Sequence, residues 1–470
     1  MYPKPMIEPV RYASDQMKNR LKQAVSQRLF EKVVILDDDP TGIQTIHDLY
    51  VYTGFDIETL RTAFQDPNRA FFILTNSRSL YPAETAAMHR EIARNLVLVS
   101  KELSIPFQLI SRTDSTLRQH YPLETQVLNE TMEMCFDGEI LIPALFGGNR
   151  FTVDDIHYVV DNEHWIPCNE TDYAKDKTFG YASADLKEWI QEKTQGRFKA
   201  DDVLSISLAE LRSGDIEAIT NKLNQVTSFR KVIVNAVEQD DLMIFTIALY
   251  HSLNMGKRFI YRTSASFINT FVDCQQSPYL KKQDVVDMHN HNGGLIVIGS
   301  HVNKTSRQLE KLKKSISDCM FIEFDQHRVL TRDLAQETRR VSQRADQLLK
   351  EGVTVVVSTR RERVDFITDD LQKQLAMTRE IAFALMSVVK DLTVKPRFIL
   401  SKGGITSSDI GTQGLGVSRA LVLGQIQACI PVWKIEQGKY AGSPYIIFPG
   451  NIGTDDALSD IVHELTEETK

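Results

Sequence analysis

Short apolar runs and longer amphipathic stretches alternate along most of the chain. The runs at 33–36, 49–52, 71–74, 107–110, 140–142, 232–235 and 258–261 have the length and the aliphatic or aromatic content of buried strands. Between them the apolar period lengthens to that of a helix. Met17, Leu21, Ala24, Val25 and Leu29 recur on one face of 15–30, and similar stretches lie at 57–64, 83–103 and 242–253. Strand and helix in alternation predict βαβ units and a mainly parallel sheet, because parallel neighbours need a crossover between them. From 143 to 182 the rhythm lapses into a stretch rich in Gly, Asn, Asp and aromatics, expected to be a functional loop or an excursion of small strands. A polar stretch at 273–294 marks a domain boundary. Beyond it, strands expected at 295–298, 320–324, 353–357 and 398–400 alternate with helical patterns, notably 334–350 and 366–390. The pattern predicts an α/β chain of two domains, residues 1–280 and 281–470, each with a mainly parallel sheet flanked by helices.

Composition narrows the partners. A chain of 470 residues exceeds what one ordinary core organises. Its net charge of −7 provides no overall positive field for nucleic acid or an anionic membrane. No run of 18 apolar residues exists and the first residues lack an apolar leader, so neither membrane insertion nor secretion is expected. The five cysteines are scattered without a C-x-x-C pair, which suits a reducing compartment. A cytoplasmic protein with small-molecule partners is the expectation, and a homodimer is compatible with it.

The most informative stretch is the apolar run at 33–36 followed by Asp37-Asp38-Asp39-Pro40-Thr41-Gly42. Open α/β sheets bind ligands beyond the carboxyl ends of their strands, so three carboxylates there mark a site. They repel one another at close range, and a metal ion or a cationic ligand would relieve that repulsion. Other apolar runs deliver Ser77-Arg78, then Arg112-Thr113-Asp114-Ser115-Thr116, then Gly147-Gly148-Asn149-Arg150 to the same expected rim. Arg78 and Arg112 suit a substrate carboxylate, since a guanidinium donates two hydrogen bonds in a fixed fork. Asp114 could orient Arg112, bind a hydroxyl, or simply pair with Arg112. His47, His120 and His157 lie near the rim in sequence, as substrate donors or as structural support. His289 and His291 read as part of a solvated linker.

In the second half, glycines cluster at strand ends: Gly299-Ser300, Gly403 to Ser408, Gly411 to Gly416, and Pro449 to Gly453. Such turns can present backbone N–H groups to phosphates. None fits the P-loop pattern, and no G-x-G-x-x-G follows a strand in a dinucleotide-binding frame.

These motifs, in this order over nearly the whole chain, resemble the four-carbon acid sugar kinases. The resemblance rests on Asp37 to Gly42, Ser77-Arg78, Arg112 to Arg118, Gly299-Ser300 with Thr305 and Gln308, Gly403-Gly404-Ile405-Thr406, and Pro449 to Gly453. It implies an N-terminal domain that binds a four-carbon sugar acid and a C-terminal domain that binds ATP, with Mg²⁺, for transfer to the terminal hydroxyl of threonate, erythronate or an oxo-tetronate. By the same resemblance Asp38, Arg78, Arg112, Thr113, Asp114 and Ser115 would contact the acid, and Ser300, Gly403, Gly404, Ile405, Thr406 and Gly450 the nucleotide. Asp38 is the candidate to orient or deprotonate the attacking hydroxyl. The residue that holds the metal is left open. Departures from the family pattern (Pro40 for Leu, Arg112 for Lys, Gln119-His120 for Gly) fall on the acid side, where they bear on which acid is bound.

Two other readings fit parts of the sequence. Asp37-x-Asp39 after a strand also opens haloacid-dehalogenase-like phosphatases, in which one Asp is the nucleophile. A non-catalytic sugar-acid sensor would bind the acid without turning over ATP.

Overall fold

The computed structural model describes residues 5–7, 9–10, 12, 14–43, 46–133, 135–161, 163–274, 277–362, 364, 371–450 and 452–467. The chain falls into two compact units: residues 1–42 with 54–276, and residues 43–53 with 277–470.

Seven parallel strands make the sheet of the first unit, in the order Ala70–Leu74, Lys32–Asp37, Phe107–Arg112, Phe259–Thr263, Gly138–Ile142, Arg230–Val234 and Leu204–Ile206. Helices cover both faces of such a sheet, which is why Val33 to Leu36 read as an unbroken apolar run and are all buried. The register sets Asp37 beside Leu74 on one side and Arg112 on the other, so the acid triplet and the segment after Arg112 leave the sheet at the same edge. The first helix spans Ser14–Ser26 and stops short of the expected 15–30. The chain turns away there because the Arg28 N–H reaches the Val25 carbonyl at 3.0 Å while its guanidinium pairs with Glu31 at 2.7 Å; Leu29 and Phe30 are left exposed.

The irregular stretch is an excursion of small strands: Arg150–Val153, Ile156–Asp161 and His164–Pro167 form an antiparallel sheet of their own. It is anchored by a cluster that joins Val159, Cys168 and Tyr181 to Leu117, Tyr121, Leu141 and Trp189. The Tyr121 and Trp189 rings stack with centroids 4.5 Å apart.

In the second unit the strands Cys319–Phe324, Thr354–Thr359, Leu295–Ile298, Ile399–Lys402 and Pro444–Phe448 run parallel, in that order. Ile430–Ile435, Arg419–Gln427 and Tyr50–Tyr52 continue the sheet antiparallel. Of these, the sequence reading has 49–52 as a strand, whereas Arg419–Gln427 and Ile430–Ile435 are absent from it. Arg419–Gln427 alternates between buried and half-buried positions, the period of a strand with one covered face, and Gly424 interrupts it with a register shift. The segment 43–53 groups here because Asp48 N–H donates to Val422 O at 2.8 Å and Val422 N–H to Leu49 O at 2.9 Å, and because the Arg419 guanidinium lies 3.7 Å from the Tyr50 ring centroid. The helix expected over 366–390 is Leu371–Lys390, and 366–370 fall outside the described residues. Among the described residues no helix is long and apolar enough to cross a membrane.

Trp189 is fully buried and joins the excursion to the main sheet. Trp189→Ala should cost about 3–5 kcal/mol in urea unfolding. A loss below about 1 kcal/mol would mean that the excursion packs independently of this ring.

Candidate functional site

At the end of Lys32–Asp37 three carboxylates are held together by two guanidiniums. Arg78 donates from Nη2 to Asp38 Oδ1 at 2.7 Å, from Nε to Asp38 Oδ2 at 3.2 Å, and from Nη1 to Asp39 Oδ2 at 3.2 Å. Arg112 Nη1 donates to Asp37 Oδ1 at 3.1 Å and stands 3.6 Å from Asp38 Oδ1. The repulsion for which the sequence reading looked to a metal ion or a cationic ligand is countered by the chain's own arginines. Asp39 also accepts the Thr41 N–H at 2.8 Å, an Asx turn that folds the chain back. The return places Gly42 directly against Asp37: a Cβ there would lie 2.2 Å from both carboxylate oxygens and 2.4 Å from Arg112 Nη1.

Burial sets the charge state of this cluster. Asp37 is 0% exposed and its Oδ2 has no hydrogen-bond partner among the described residues. Burial pushes its carboxyl up to about 7, with Arg112 opposing and Asp38 and Asp39 reinforcing. Burial also raises Asp38, against the pull of Arg78 and Arg112.

The segment after Arg112 lies beside this group. Asp114 pairs with Arg118, whose Nε donates at 2.9 Å, and accepts the Thr116 hydroxyl. Its partner is thus not Arg112, which the register commits to Asp37. Burial works against ionisation of Asp114, but Arg118, Arg78 and the Thr116 hydroxyl hold it well below the usual carboxylate range. Thr113 and Ser115 are buried; Thr113 N–H donates to Thr263 O at 2.9 Å, and the Ser115 carbonyl faces His157 Nε2 at 2.7 Å. His157 comes from the excursion, is buried, and is pushed down to about 4 by that burial, so it supports the segment as a neutral ring. His120 supports it from the other side through the Leu80 carbonyl at 3.0 Å, whereas His47 belongs to the second unit. Arg118 and Arg150 both lie on Tyr173, with guanidinium carbons 4.9 and 5.8 Å from the ring centroid.

Two residues beneath the rim escaped the sequence reading. Arg262 and Glu124 form a buried pair, with Ser77 donating to Glu124 and Arg262 Nη1 to Ser111 Oγ at 2.9 Å. Burial opposes the charge on Glu124, yet Arg262, His89 and Ser77 bring it down to about 2. Its helix, Leu123–Met132, has a weak amphipathic pattern, and nothing in the sequence sets this glutamate apart.

In the second unit, residues from three strand ends converge. A Cβ on Gly299 would stand 2.3 Å from Thr406 Oγ1, one on Gly403 3.1 Å from both Thr406 Oγ1 and Ser300 Cβ, and one on Gly450 2.9 Å from Ser300 Oγ. Thr305 Oγ1 donates to the Gly450 carbonyl at 3.0 Å, and Gln308 Nε2 to the carbonyls of Ile452 and Thr454 at 3.1 and 2.7 Å. Ser300, Gly403, Thr406 and Gly450 are thus one cluster, with Gly404 opening the short helix Gly404–Asp409 beside it. The side chain of Ile405 lies outside the described residues. The glycines at 411–414 do something else: Gly411 packs under the Tyr445 ring and Gly414 against Met386. Three cations not singled out by the sequence stand at the cluster, Lys304, Arg361 and Lys402. Lys402 left a signal, as a charge closing an otherwise apolar strand just before Gly403-Gly404.

Each unit corresponds in its main part to a known domain family, the first match running through 43–53 as well. Residues 33–271 match the sugar-binding N-terminal domain and residues 295–458 the nucleotide-binding C-terminal domain, the pairing found in four-carbon acid sugar kinases. The chain belongs to the four-carbon acid sugar kinase family. Among solved structures, Haemophilus influenzae protein HI1011 has the same fold, with a TM-score of 0.60 at 16% identity over 92% of this chain and 100% of that one. A Salmonella typhimurium LT2 protein provisionally named a tRNA synthase is similar in fold, with a TM-score of 0.63 at 15% identity over 91% and 98% of the two chains. Among curated proteins none matches.

For this member of the four-carbon acid sugar kinases, the buried Asp37 makes stability depend on pH. Its folded value of about 7 exceeds the unfolded carboxylate value of about 3.9, so between them the folded chain keeps a proton that the unfolded chain has released. The resulting stability is fully present below about pH 4 and lost as the pH rises towards about 7. Melting temperatures of wild type should therefore fall relative to those of Asp37→Asn between about pH 4 and about pH 7. A gap that stays constant or moves the other way would mean that Arg112 outweighs burial and keeps Asp37 ionised.

Proposed function

We propose that the protein is an ATP-dependent kinase that phosphorylates the terminal hydroxyl of a four-carbon sugar acid of the threonate, erythronate or oxo-tetronate class. The observation that carries the reading is the coincidence of the sugar-binding family with the unit holding the Asp–Arg rim, and of the nucleotide-binding family with the unit holding the glycine and cation cluster. Phosphoryl transfer asks the protein for positioning and charge rather than covalent chemistry, and the two units supply those separately.

In this reading the sugar acid sits at the rim of the first unit. Three of the five N–H donors of Arg78 are used on Asp38 and Asp39, which leaves two for a ligand carboxylate. Arg112 is 3% exposed and tied to Asp37, so it acts chiefly by fixing the triplet. Asp38 has both oxygens fixed by Arg78, and each oxygen keeps a lone pair for a substrate hydroxyl. The hydroxyl oxygen forms the new bond to the γ-phosphorus, its proton passes to Asp38, and the bond to ADP breaks. Burial that raises Asp38 favours its role as the proton acceptor.

The nucleotide fits the second unit, where Gly403 and Gly450 leave open the space that a Cβ would fill beside Ser300. A resident Mg²⁺ does not fit the acid triplet: Asp38 and Asp39 are committed to Arg78 and Asp37 is enclosed. Among the described residues no three metal-ligating side chains gather elsewhere. Mg²⁺ belongs to this reading as part of the nucleotide substrate. The same enclosure weighs against the phosphatase reading, because Asp37 sealed under Gly42 has no access to a phosphoester.

An ATP-coupled assay over four-carbon sugar acids tests the reading, with ADP release expected only when the right acid is present. Hydrolysis of simple phosphoesters without ATP would instead support the phosphatase, and acid binding with no turnover the sensor. Asp38→Asn should lower turnover by at least about 10²-fold, and because Arg78 and Arg112 lose a buried charge partner it should also lower the melting temperature, with ATP binding retained as the sign of an intact fold. Retention of most of the rate would remove Asp38 from proton transfer. Gly450→Val, whose first added carbon would lie 2.9 Å from Ser300 Oγ, should weaken ATP binding with the circular dichroism spectrum intact. Unchanged ATP affinity by calorimetry would make that turn purely structural.

A further inference from the structure

Lys402 closes the Ile399–Lys402 strand and is 0% exposed. Its Nζ donates to the Pro449 carbonyl at 3.1 Å and lies 3.6 Å from the centroid of the Phe448 ring. An ammonium has three N–H donors, and the Pro449 carbonyl is its one hydrogen-bond acceptor among the described residues. No carboxylate there pairs with it, and the charge that acts on it is a second cation, Lys304 on the Asn303–Ser315 helix. Burial and this like charge push the Lys402 ammonium well below the ordinary lysine range.

Arg361 approaches the same place. Its Nη2 donates to the Ser300 carbonyl at 2.7 Å and to Ser306 Oγ at 2.8 Å, while its Nη1 is buried and has no partner among the described residues. It forms no ion pair among the described residues; Glu310 acts on it electrostatically, and that residue is exposed. Ser300 links the group, since the Gly403 and Gly450 backbones close on it and Thr305 Oγ1 lies 3.3 Å from its Oγ. The backbones of Gly403 and Gly450 are the immediate chain neighbours of Lys402 and of its acceptor Pro449.

Among the described residues several buried cations are compensated by a carboxylate, as Arg112 by Asp37, Arg262 by Glu124 and Lys231 by Glu139, and Lys32, which has none, donates to two backbone carbonyls where Lys402 has one. A buried cation without a counter-charge costs stability, and it persists where a ligand supplies the missing negative charge. The ligand suited to two or three cations around a glycine-lined, hydroxyl-bearing turn carries several negative charges on adjacent groups, as a phosphate chain does.

We infer that Lys402, with Arg361 beside it, is the cationic contact for the phosphate chain of the bound nucleotide. The inference rests on the nucleotide reading above and assigns its charge recognition to residues outside the glycine motifs. Negative charge that grows on the phosphate oxygens during transfer meets a fixed ammonium in a dry site, where it is stabilised more strongly than in water.

Calorimetry on the full-length chain tests it with three probes: ATP with Mg²⁺, inorganic tripolyphosphate, and adenosine. Lys402→Met keeps the length and apolar stem of the side chain and removes its charge. It should weaken ATP and tripolyphosphate by about 10- to 100-fold and leave adenosine unchanged, and Lys402→Arg should recover part of the loss. Without ligand, Lys402→Met should melt above wild type, since an uncompensated buried charge is gone, and saturating ATP should reverse that order. ATP and tripolyphosphate binding equal to wild type in Lys402→Met overturns the inference and leaves the nucleotide reading standing. A variant that melts lower and loses adenosine as much as ATP overturns it too, because Lys402 then only supports the fold. A wild type that binds neither ATP nor tripolyphosphate removes the nucleotide reading, and this inference with it.

Discussion

Two guanidiniums bridge three adjacent carboxylates at the end of a buried strand, and the rest of the first unit is arranged to keep them doing so. Arg112 reaches Asp37 because the neighbouring strand is in register with it; Arg78 reaches Asp38 and Asp39 from the turn after the strand on the other side. Neither contact is local in sequence, so the rim exists only once the parallel sheet has formed. Beneath it, Glu124 and Arg262 form a second buried pair that holds Ser77 and Ser111, and above it His157 props the Ser115 carbonyl from the excursion. Such layering restricts the side chains at the rim, which favours precise placement of a small polar ligand.

The second unit follows the opposite charge logic. Where the first unit pairs every carboxylate of its triplet with arginine, the second gathers Lys304, Arg361 and Lys402 with no carboxylate bound to any of them among the described residues. A rim of paired charges suits a small acid that brings both a carboxylate and hydroxyls. An uncompensated positive cluster suits a polyanion. That division agrees with the two domain families that the chain joins, one sugar-binding and one nucleotide-binding.

The excursion of small strands shows how a departure from regular rhythm is put to use. Its sheet carries Arg150 and His157 to the Arg112–Arg118 segment and is fastened to the main body by Tyr121 and Trp189. Tyr173, from the loop that follows, lies under both Arg118 and Arg150.

Period and punctuation alone determined much of this protein. A run such as Val33 to Leu36, apolar at every position, has to be buried on both faces, which calls for a parallel sheet under helices and puts the polar residues that follow it at the carboxyl edge. That reasoning located Asp37 to Asp39, Arg78, Arg112 and the glycine turns without any knowledge of contacts. It missed the antiparallel strands Arg419–Gln427 and Ile430–Ile435, and it placed 43–53 with the wrong neighbours in sequence, because pairing with Val422 is a long-range choice that local pattern does not encode. It also could not decide who pairs with whom. Arg112 and Asp114 are two residues apart on the chain, yet strand register gives Arg112 to Asp37 and leaves Asp114 to Arg118. Lys402 looks like any lysine at a strand end until the fold encloses it, since desolvation and the lack of a counter-charge are properties of surroundings that only the tertiary structure assembles.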